Sequence, residues 1–239
     1  MKIFVITLSD ALARQQQSAR RLRELGLDFT FFPAVAGHEA IRSQSCNIAE
    51  REFLLSTGRK PTAGEVGCFA SHRLLWKLCA QIGEPVLIME DDFLLADGFV
   101  DAVSHVEREI GEFGFIRLQS EQQAKKQPIK TLDRFTLWRY AKAPNSSMCY
   151  GLSPDAATRL LESADTINAP VDVFMKRFWR HGQRMFGLTP YTVSESELSR
   201  GTQISGRFKA RKDVATRIAR TWTRIAEVLA RHQFNRRTG

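Results

Sequence analysis

One short stretch, residues 84–92, constrains the fold of this chain more than any other. It reads EPVLIMEDD, a continuous apolar run that begins after a proline and ends in three carboxylates. An apolar run this short is typical of a buried strand, because a helix needs roughly ten residues or more. Open α/β sheets bind ligands at the carboxyl ends of their strands. Glu90, Asp91 and Asp92 are therefore predicted to lie where such a sheet would bind a ligand.

The acidic triplet has two interpretations, and its spacing alone leaves both open. Adjacent carboxylates repel one another unless water or a cation offsets the repulsion. Hard divalent cations prefer oxygen ligands, so the triplet is a candidate metal site. Acidic residues are also common in solvated turns that begin the next segment.

The start of the chain predicts a βαβ unit. Residues 2–8 are rich in β-branched and apolar types, residues 11–25 have helical spacing, and residues 29–32 read as a second strand. A strand, helix and strand in this order indicate a right-handed parallel unit. Further strands are predicted at 115–118, 135–140, 146–153 and 184–193, the last with a turn at Pro190. Helices lie between several of them, and a polar loop is predicted over 119–130. The pattern predicts an α/β fold.

Composition excludes several classes of protein. The 239 residues suffice for one large domain, or for one domain with an appendage, and no apolar run approaches the roughly 20 residues that span a bilayer. The first residues lack the features of a signal peptide. The four cysteines lack CxxC spacing, which predicts reduced structural thiols in the cytoplasm with neither a zinc site nor a redox motif. The absence of a P-loop and of GxGxxG argues against an NTPase and a Rossmann dehydrogenase.

A long helix is predicted from Thr62 through Cys79. Thr62 and Glu65 have the spacing of a capping box at its beginning. Ser71 and His72 are polar residues in the middle of this otherwise apolar helix. They fit either hydrogen-bonded packing or a catalytic role.

The net charge of +9, from 35 basic and 26 acidic residues, is concentrated after residue 207. Apolar residues recur there at helical spacing between arginines, which predicts a basic amphipathic helix. Such a helix can dock on its own domain or lie on anionic lipid, whereas nucleic acid is less favoured because no binding fold accompanies it. We therefore divide the chain into a domain over residues 1–206 and a tail over residues 207–239. The apolar positions are Val214, Ile218, Trp222, Ile225 and Leu229.

Several motifs, taken in order, resemble glycosyltransferase family 25, the lipooligosaccharide galactosyltransferase group. The most specific is GEVGCFASH at 64–72, followed by MEDD at 89–92. The resemblance extends to about residue 207 and leaves out the tail. The other motifs are IFVITL at 3–8 with Arg14, FFPAVAG at 31–37, YGLS at 150–153, PVD at 170–172 and a weaker TQISGR at 202–207.

The resemblance implies a GT-A-like nucleotide-sugar-binding fold, with a mixed, mostly parallel sheet flanked by helices. It implies a UDP-sugar donor and a divalent cation, Mn²⁺ or Mg²⁺, held by Asp92 with Glu90 or Asp91 beside it, of which Glu90 is preferred. It also implies that the substrate is bound by Thr7, Leu8, Arg14, Ala34, Val35, Gly37, Glu65, Ser71, His72 and Glu90.

An inverting transfer needs a base to accept the proton of the acceptor hydroxyl. Asp172, Asp155 and Asp91 are candidates, of which Asp172 is favoured and Asp91 is retained as a second catalytic residue. The polar segment 194–197 departs from the family pattern. It leaves open which residue there completes the donor site.

The sequence thus predicts a metal-dependent galactosyltransferase that uses UDP-galactose and a lipid-linked oligosaccharide. It is expected at the cytoplasmic face of the bacterial inner membrane, bound peripherally to anionic lipid through residues 207–237, with no nucleic-acid partner. The alternatives are a non-catalytic surface-binding module and a nucleic-acid-binding protein that uses the basic tail. The intact acidic triplet favours the enzyme.

Overall fold

The computed structural model describes residues 1–119, 124–196 and 214–238. The helices are α1 Leu12–Glu24, α2 Gly37–Arg42, α3 Glu50–Thr57, α4 Ala63–Ile82, α5 Phe99–Phe113, α6 Pro154–Glu162, α7 Val171–Met175, α8 Phe178–His181 and α9 Val214–Arg237. The strands are β1 Lys2–Thr7, β2 Thr30–Pro33, β3 Val86–Glu90, β4 Phe93–Leu95, β5 Phe115–Arg117, β6 Lys125–Leu132, β7 Phe135–Lys142, β8 Cys149–Leu152, β9 Phe186–Thr189 and β10 Val193–Glu195.

Most described strands form one eight-stranded sheet in the order β2-β1-β3-β8-β5-β9-β7-β6. β1 pairs in parallel with β2 and β3, which confirms the predicted βαβ unit. Of the eight strands in this sheet, β7 and β8 are antiparallel to the other six. The predicted α/β fold, with a mixed central sheet flanked by helices, is confirmed, and three of the seven pairings among the described strands of this sheet are parallel.

The central strand β3 is buried on both faces, which explains its continuous apolar run. Ile88 packs into one core cluster with Phe69 and Trp76 of α4. Leu87 and Met89 point to the other face and pack with residues of α1 and α5. The sheet therefore separates two cores, and the acidic triplet follows its most enclosed strand.

Two predictions for the second half of the chain were wrong. The polar loop predicted over residues 119–130 is wrong from Lys125 onward, because Lys125–Leu132 form β6, which pairs with β7 at the sheet edge. The exposed lysines and Pro128 make this strand hard to recognise from the sequence pattern. Such residues are nevertheless typical of an edge strand that is protected against pairing with another chain. Residues 184–193 were predicted as a single strand with a turn at Pro190. The chain does turn there, since β9 ends at Thr189, but β10 begins only at Val193 and pairs with β4 in a separate two-stranded sheet.

The C-terminal helix α9 docks on the domain through one face. Glu227 accepts a hydrogen bond from Trp179 Nε1 at 2.7 Å and forms an ion pair with Arg180. The Phe234 ring lies 5.5 Å from that of Phe178, and Asn235 Nδ2 donates to the Ala141 carbonyl at 2.9 Å. Docking on its own domain, one of the two predicted arrangements, is therefore observed.

The docked face of α9 is not its apolar face. The apolar stripe (Val214, Ile218, Trp222, Ile225, Leu229) lies on the opposite side of the helix and is exposed, with Trp222 retaining 67% of its accessible surface. None of the described helices is both long and apolar enough to span a membrane. The predicted domain boundary at residues 206 and 207, the motif at 202–207 and the basic residues before Val214 lie outside the described residues.

Candidate functional site

A polar cavity of about 310 Å³ opens at the carboxyl end of β3. Its walls come from α4, the end of β3, the loop before β8, the beginning of α7, and β10. This is the position at which open α/β sheets bind ligands. The lining residues are Glu65, Cys68, Glu90, Asp92, Gln119, Asn145, Ser146, Ser147, Met148, Pro170, Val171, Asp172 and Glu195.

Asp92 is the least compensated carboxylate of the triplet. Its Oδ1 atom is buried and has no hydrogen-bond partner within the described part of the chain. Burial, followed by repulsion from Glu90, Asp91 and Glu195, raises the pKa of Asp92 to about 7. A buried, unpaired carboxylate among other carboxylates is an energetically costly arrangement that a bound cation would relieve.

Asp91 is turned away from the cavity. It is buried, and its Oδ2 accepts a hydrogen bond from Thr7 Oγ1 at 2.6 Å. Arg14 Nη1 lies 3.2 Å from its Oδ1. Burial raises the pKa of Asp91, while Thr7 and Arg14 act in the opposite direction. The predicted residues Thr7, Arg14 and Asp91 therefore meet one another, beside the exposed Leu8, but do not line the cavity.

Glu90 faces the cavity and is held by its neighbours. Its carboxylate accepts a hydrogen bond from Ser147 Oγ and lies 3.4 Å from His72 Nε2. Burial opposes ionisation, but the hydrogen bond and charge of His72, together with Ser147 and Arg14, lower the pKa of Glu90 overall. Glu90 thus presents an ionised carboxylate beside the unpaired Asp92.

The predicted residues Val35, Gly37 and Ser71 come together where the loop after β2 crosses α4. Val35 N donates to Ser71 Oγ at 2.8 Å, and a Cβ on Gly67 would lie 2.4 Å from the Val35 carbonyl oxygen. These contacts, together with Ala34 nearby, pack the loop against the helix, and none of these residues lines the cavity. Their role in nucleotide binding stays a prediction.

Glu65 lines the cavity from the first turn of α4. The predicted capping box is present, since Thr62 accepts from the Glu65 amide and Glu65 accepts from the Thr62 amide. Glu65 is also 2% exposed and forms a two-point ion pair with Arg59. These partners fix its side chain, so it serves chiefly to shape the floor of the cavity.

His72 and Cys68 form a second group beside Glu90. His72 is fully buried, and its Nδ1 lies 2.8 Å from the Tyr150 hydroxyl. Ligand-type atoms of Cys68, His72 and Glu90 all lie within 4.8 Å of one another. Burial, then repulsion from Glu90 and other carboxylates, raises the pKa of the Cys68 thiol well above its usual value. CxxC spacing does not reveal this group, because it contains a single cysteine and its third member lies on a strand remote in sequence.

The two other candidates for the base occupy different surroundings. Asp172 lines the cavity in the first turn of α7, and burial raises its pKa. Asp155 is exposed in the first turn of α6 and does not line the cavity. Of the three aspartates considered for proton transfer, Asp172 alone reaches the cavity.

Sequence analysis missed several lining residues, above all Glu195. The antiparallel pairing of β10 with β4 places Glu195 opposite Phe93, directly beside the acidic triplet. Ser196 N also donates to the Asp92 carbonyl at 2.9 Å. The polar segment 194–197 was the available signal, and its residue 197 lies outside the described part. Gln119 and Asn145 were missed because isolated polar loop residues carry no spacing pattern.

The fold and the cavity define an α/β protein with a carboxylate-rich ligand site at the end of its central strand. The family comparison goes one step further. The profile described as "Glycosyltransferase family 25 (LPS biosynthesis protein)" matches residues 1–175. The chain belongs to glycosyltransferase family 25, as its motifs indicated.

Individual relatives match shorter regions. A glycosyltransferase 25 family member of Aedes aegypti is 35% identical over 135 residues, which cover 51% of this chain and 22% of the relative. The lipooligosaccharide biosynthesis protein lic2B of Haemophilus influenzae is 30% identical, covering 39% of this chain and 34% of that protein. Procollagen galactosyltransferase 1-B of Xenopus laevis is 32% identical, covering 38% and 16%. The matched region thus spans about a third or less of each of these relatives.

Proposed function

We propose that this chain is a glycosyltransferase that transfers galactose from UDP-galactose to a lipid-linked oligosaccharide of the lipooligosaccharide or lipopolysaccharide core. Family membership over residues 1–175 supports glycosyl transfer. The names of two relatives, a lipooligosaccharide biosynthesis protein and a procollagen galactosyltransferase, support the choice of acceptor class and sugar. The observation that carries the proposal is the buried Asp92 oxygen at the cavity, for which residues 1–119, 124–196 and 214–238 provide no hydrogen-bond partner.

The cavity carboxylates fit a divalent cation such as Mn²⁺ or Mg²⁺. Asp92 has an oxygen without a hydrogen bond in the described structure, and burial, followed by repulsion from neighbouring carboxylates, raises its pKa to about 7. We assign Asp92 and Glu90 as the residues that would hold the ion, since both line the cavity and offer oxygen ligands. When bound, the ion supplies positive charge that stabilises the diphosphate leaving group.

The remaining lining residues suit a sugar substrate. Asn145, Ser146 and Ser147 offer hydrogen-bonding groups on one wall, where they can orient sugar hydroxyls. Asp172 stands on the neighbouring wall and would accept the proton of the attacking hydroxyl. Its raised pKa brings this carboxylate closer to the working pH, which favours general-base catalysis.

The proposal is tested with purified protein, a panel of UDP-sugars, Mn²⁺ and lipooligosaccharide acceptor, with transfer followed by mass spectrometry. We expect transfer with UDP-galactose and at least a 100-fold loss in Asp92→Asn, whose folding is checked by circular dichroism. Asp97→Asn, an exposed carboxylate outside this cavity, is the matched control and should retain activity. If no UDP-sugar supports either transfer or donor hydrolysis, the non-catalytic alternative is favoured.

We further propose that the protein binds peripherally to the cytoplasmic face of the inner membrane through α9. The apolar stripe is exposed and opposite to the docked face, and Arg217 and Arg224 flank it along one side. Apolar side chains flanked by arginines are the pattern of helices that lie on anionic lipid. Such binding would bring the cavity to a lipid-linked acceptor.

A further inference from the structure

A three-residue cluster beside the cavity has ligand chemistry that the carboxylate site does not explain. The Cys68 Sγ, a His72 ring nitrogen and a Glu90 carboxylate oxygen lie within 4.8 Å of one another. Ligands of one tetrahedral Zn²⁺ ion, at bond lengths of about 2.0–2.3 Å, are separated by roughly 3.3–3.8 Å. A contraction of about 1 Å would therefore close the cluster around a single ion.

Local structure explains why these atoms converge. Cys68 and His72 are four residues apart on α4, so their side chains leave the same face of the helix. Glu90 is the last residue of β3, and it approaches His72 Nε2 to 3.4 Å. One regular helix and one buried strand thus supply all three protein ligands.

The surroundings of His72 suit ligation through Nε2. Its Nδ1 lies 2.8 Å from the Tyr150 hydroxyl, which also accepts a hydrogen bond from Trp76 Nε1 at 2.8 Å. A hydroxyl oxygen has two lone pairs, so it can accept from both rings. Metal binding selects the tautomer in which His72 Nδ1–H donates to Tyr150, so the ion replaces the proton that Nε2 would otherwise share with Glu90. Metal-bound histidines are commonly oriented by such a partner on the second nitrogen.

The cluster is open on one side. Cys68 and Glu90 both line the cavity, so a fourth ligand could be water or a substrate atom. Three protein ligands with one open position are typical of exchangeable zinc sites. A thiolate among the ligands selects thiophilic ions over Mg²⁺ and Mn²⁺, which prefer oxygen.

We propose that Cys68, His72 and Glu90 form a binding site for a thiophilic divalent cation of the zinc class. This site differs in chemistry from the oxygen-ligand site assigned to Asp92 and Glu90. Because Glu90 is common to both, a zinc-class ion and a Mn²⁺ ion would compete for it. The proposal concerns binding alone and does not require the chain to be a transferase.

The test is a Co²⁺ titration of the full, phosphine-reduced chain, followed by absorption spectroscopy without donor or acceptor. A thiolate-to-cobalt charge-transfer band reports a cysteine ligand directly. We expect saturation at one Co²⁺ per chain, intense visible bands typical of tetrahedral coordination, and displacement by Zn²⁺. No charge-transfer band in the wild-type protein would overturn the proposal.

Variants then assign the ligands. Cys68→Ser should lose the thiolate band, while Cys46→Ser, a cysteine outside the cluster, should keep it. Glu90→Gln should weaken Co²⁺ binding about tenfold or more and keep the band, which covers the case in which Cys68→Ser folds poorly. An unchanged band in a folded Cys68→Ser would refute the site. Asp92→Asn should also keep the band although it removes transfer, so the two proposals fail separately.

Discussion

Asp172 combines access to the cavity with a raised pKa, the two properties that a general base requires. We predict that Asp172→Asn lowers kcat about 100-fold or more and leaves the KM for the donor within a few-fold, because it removes proton transfer rather than donor binding. Steady-state kinetics with saturating cation measures both constants.

Asp155→Asn is the matched control for this prediction. Asp155 also stands in the first turn of a helix, but it is exposed and outside the cavity. Its variant should keep wild-type kcat. Equal losses in the two variants would point to a helix-end effect on stability rather than to catalysis at Asp172.

His181 makes the free energy of unfolding depend on pH. Its Nε2 lies 2.9 Å from the Met175 carbonyl, its Nδ1 accepts from Gln183 N, and burial lowers its pKa to about 4. The neutral ring therefore stabilises the fold above the unfolded pKa of about 6.5, and this contribution of about 2–3 kcal/mol is lost as the pH falls toward 4. The difference in unfolding free energy between wild type and His181→Gln, from urea melts, should shrink over that interval. Parallel curves would contradict the assignment.

Among single residues, those that follow local patterns could be predicted and those set by remote pairing could not. The carboxylates after β3 were predictable because the continuous apolar run marks a buried strand end. Which of these carboxylates faces the cavity was not predictable. Their orientation depends on the hydrogen bond from Thr7 and the ion pair with Arg14, which hold Asp91 away from the cavity. Glu195 was hidden because only the pairing of β10 with β4 brings it to the site.

At the scale of elements, two glycines let the loop after β2 approach α4. A Cβ on Gly37 would lie 1.7 Å from the Ala63 carbonyl oxygen, and one on Gly67 would lie 2.4 Å from that of Val35. Both obstacles are backbone atoms, so neither can move cheaply. We predict that Gly67→Ala destabilises the protein by about 3 kcal/mol, as overpacking does.

Gly111 provides the opposite control. It lies within α5, and nothing stands within 4 Å of a Cβ added there. Gly111→Ala should stabilise the protein by about 0.5–1 kcal/mol through helix propensity. Thermal unfolding separates the two, with a lower Tm for Gly67→Ala and a higher Tm for Gly111→Ala. A neutral Gly67→Ala would mean that the loop can withdraw from α4.

The strand β3, which is buried on both faces, was predictable from the sequence, whereas the exposed edge strand β6 was not. The four consecutive apolar residues between the proline and the acidic triplet indicate β3 directly. β6 has an exposed, lysine-rich sequence, and it exists because β7 offers it an antiparallel partner. Long-range pairing of this kind overrides local composition, so a polar stretch can be a strand.

For the whole molecule, α9 has two faces with different tasks. Glu227 and Phe234 attach one face to α8, and the apolar stripe is left on the other. If the stripe had been the docked face, its exposure would be low. The sequence predicted the amphipathic helix but could not choose its buried face, because the docked side is held by polar contacts and the Phe234 ring rather than by a repeating apolar pattern.

This arrangement predicts binding to anionic lipid through the stripe. Wild-type protein should sediment with vesicles containing phosphatidylglycerol and much less with pure phosphatidylcholine, and salt should weaken the binding because arginines contribute to it. Trp222→Glu should reduce binding about tenfold or more, since it replaces a large apolar contact by a negative charge. Ala226→Glu adds the same charge at an exposed position outside the stripe and should cost far less. Equal losses in the two variants would reject the stripe as the contact. Two other outcomes would assign the stripe to a different partner. If the wild type does not bind vesicles and Trp222→Glu converts a dimer to a monomer, the stripe contacts a second copy of the chain. If the wild type does not bind vesicles but binds DNA in a salt-sensitive manner, the partner is nucleic acid.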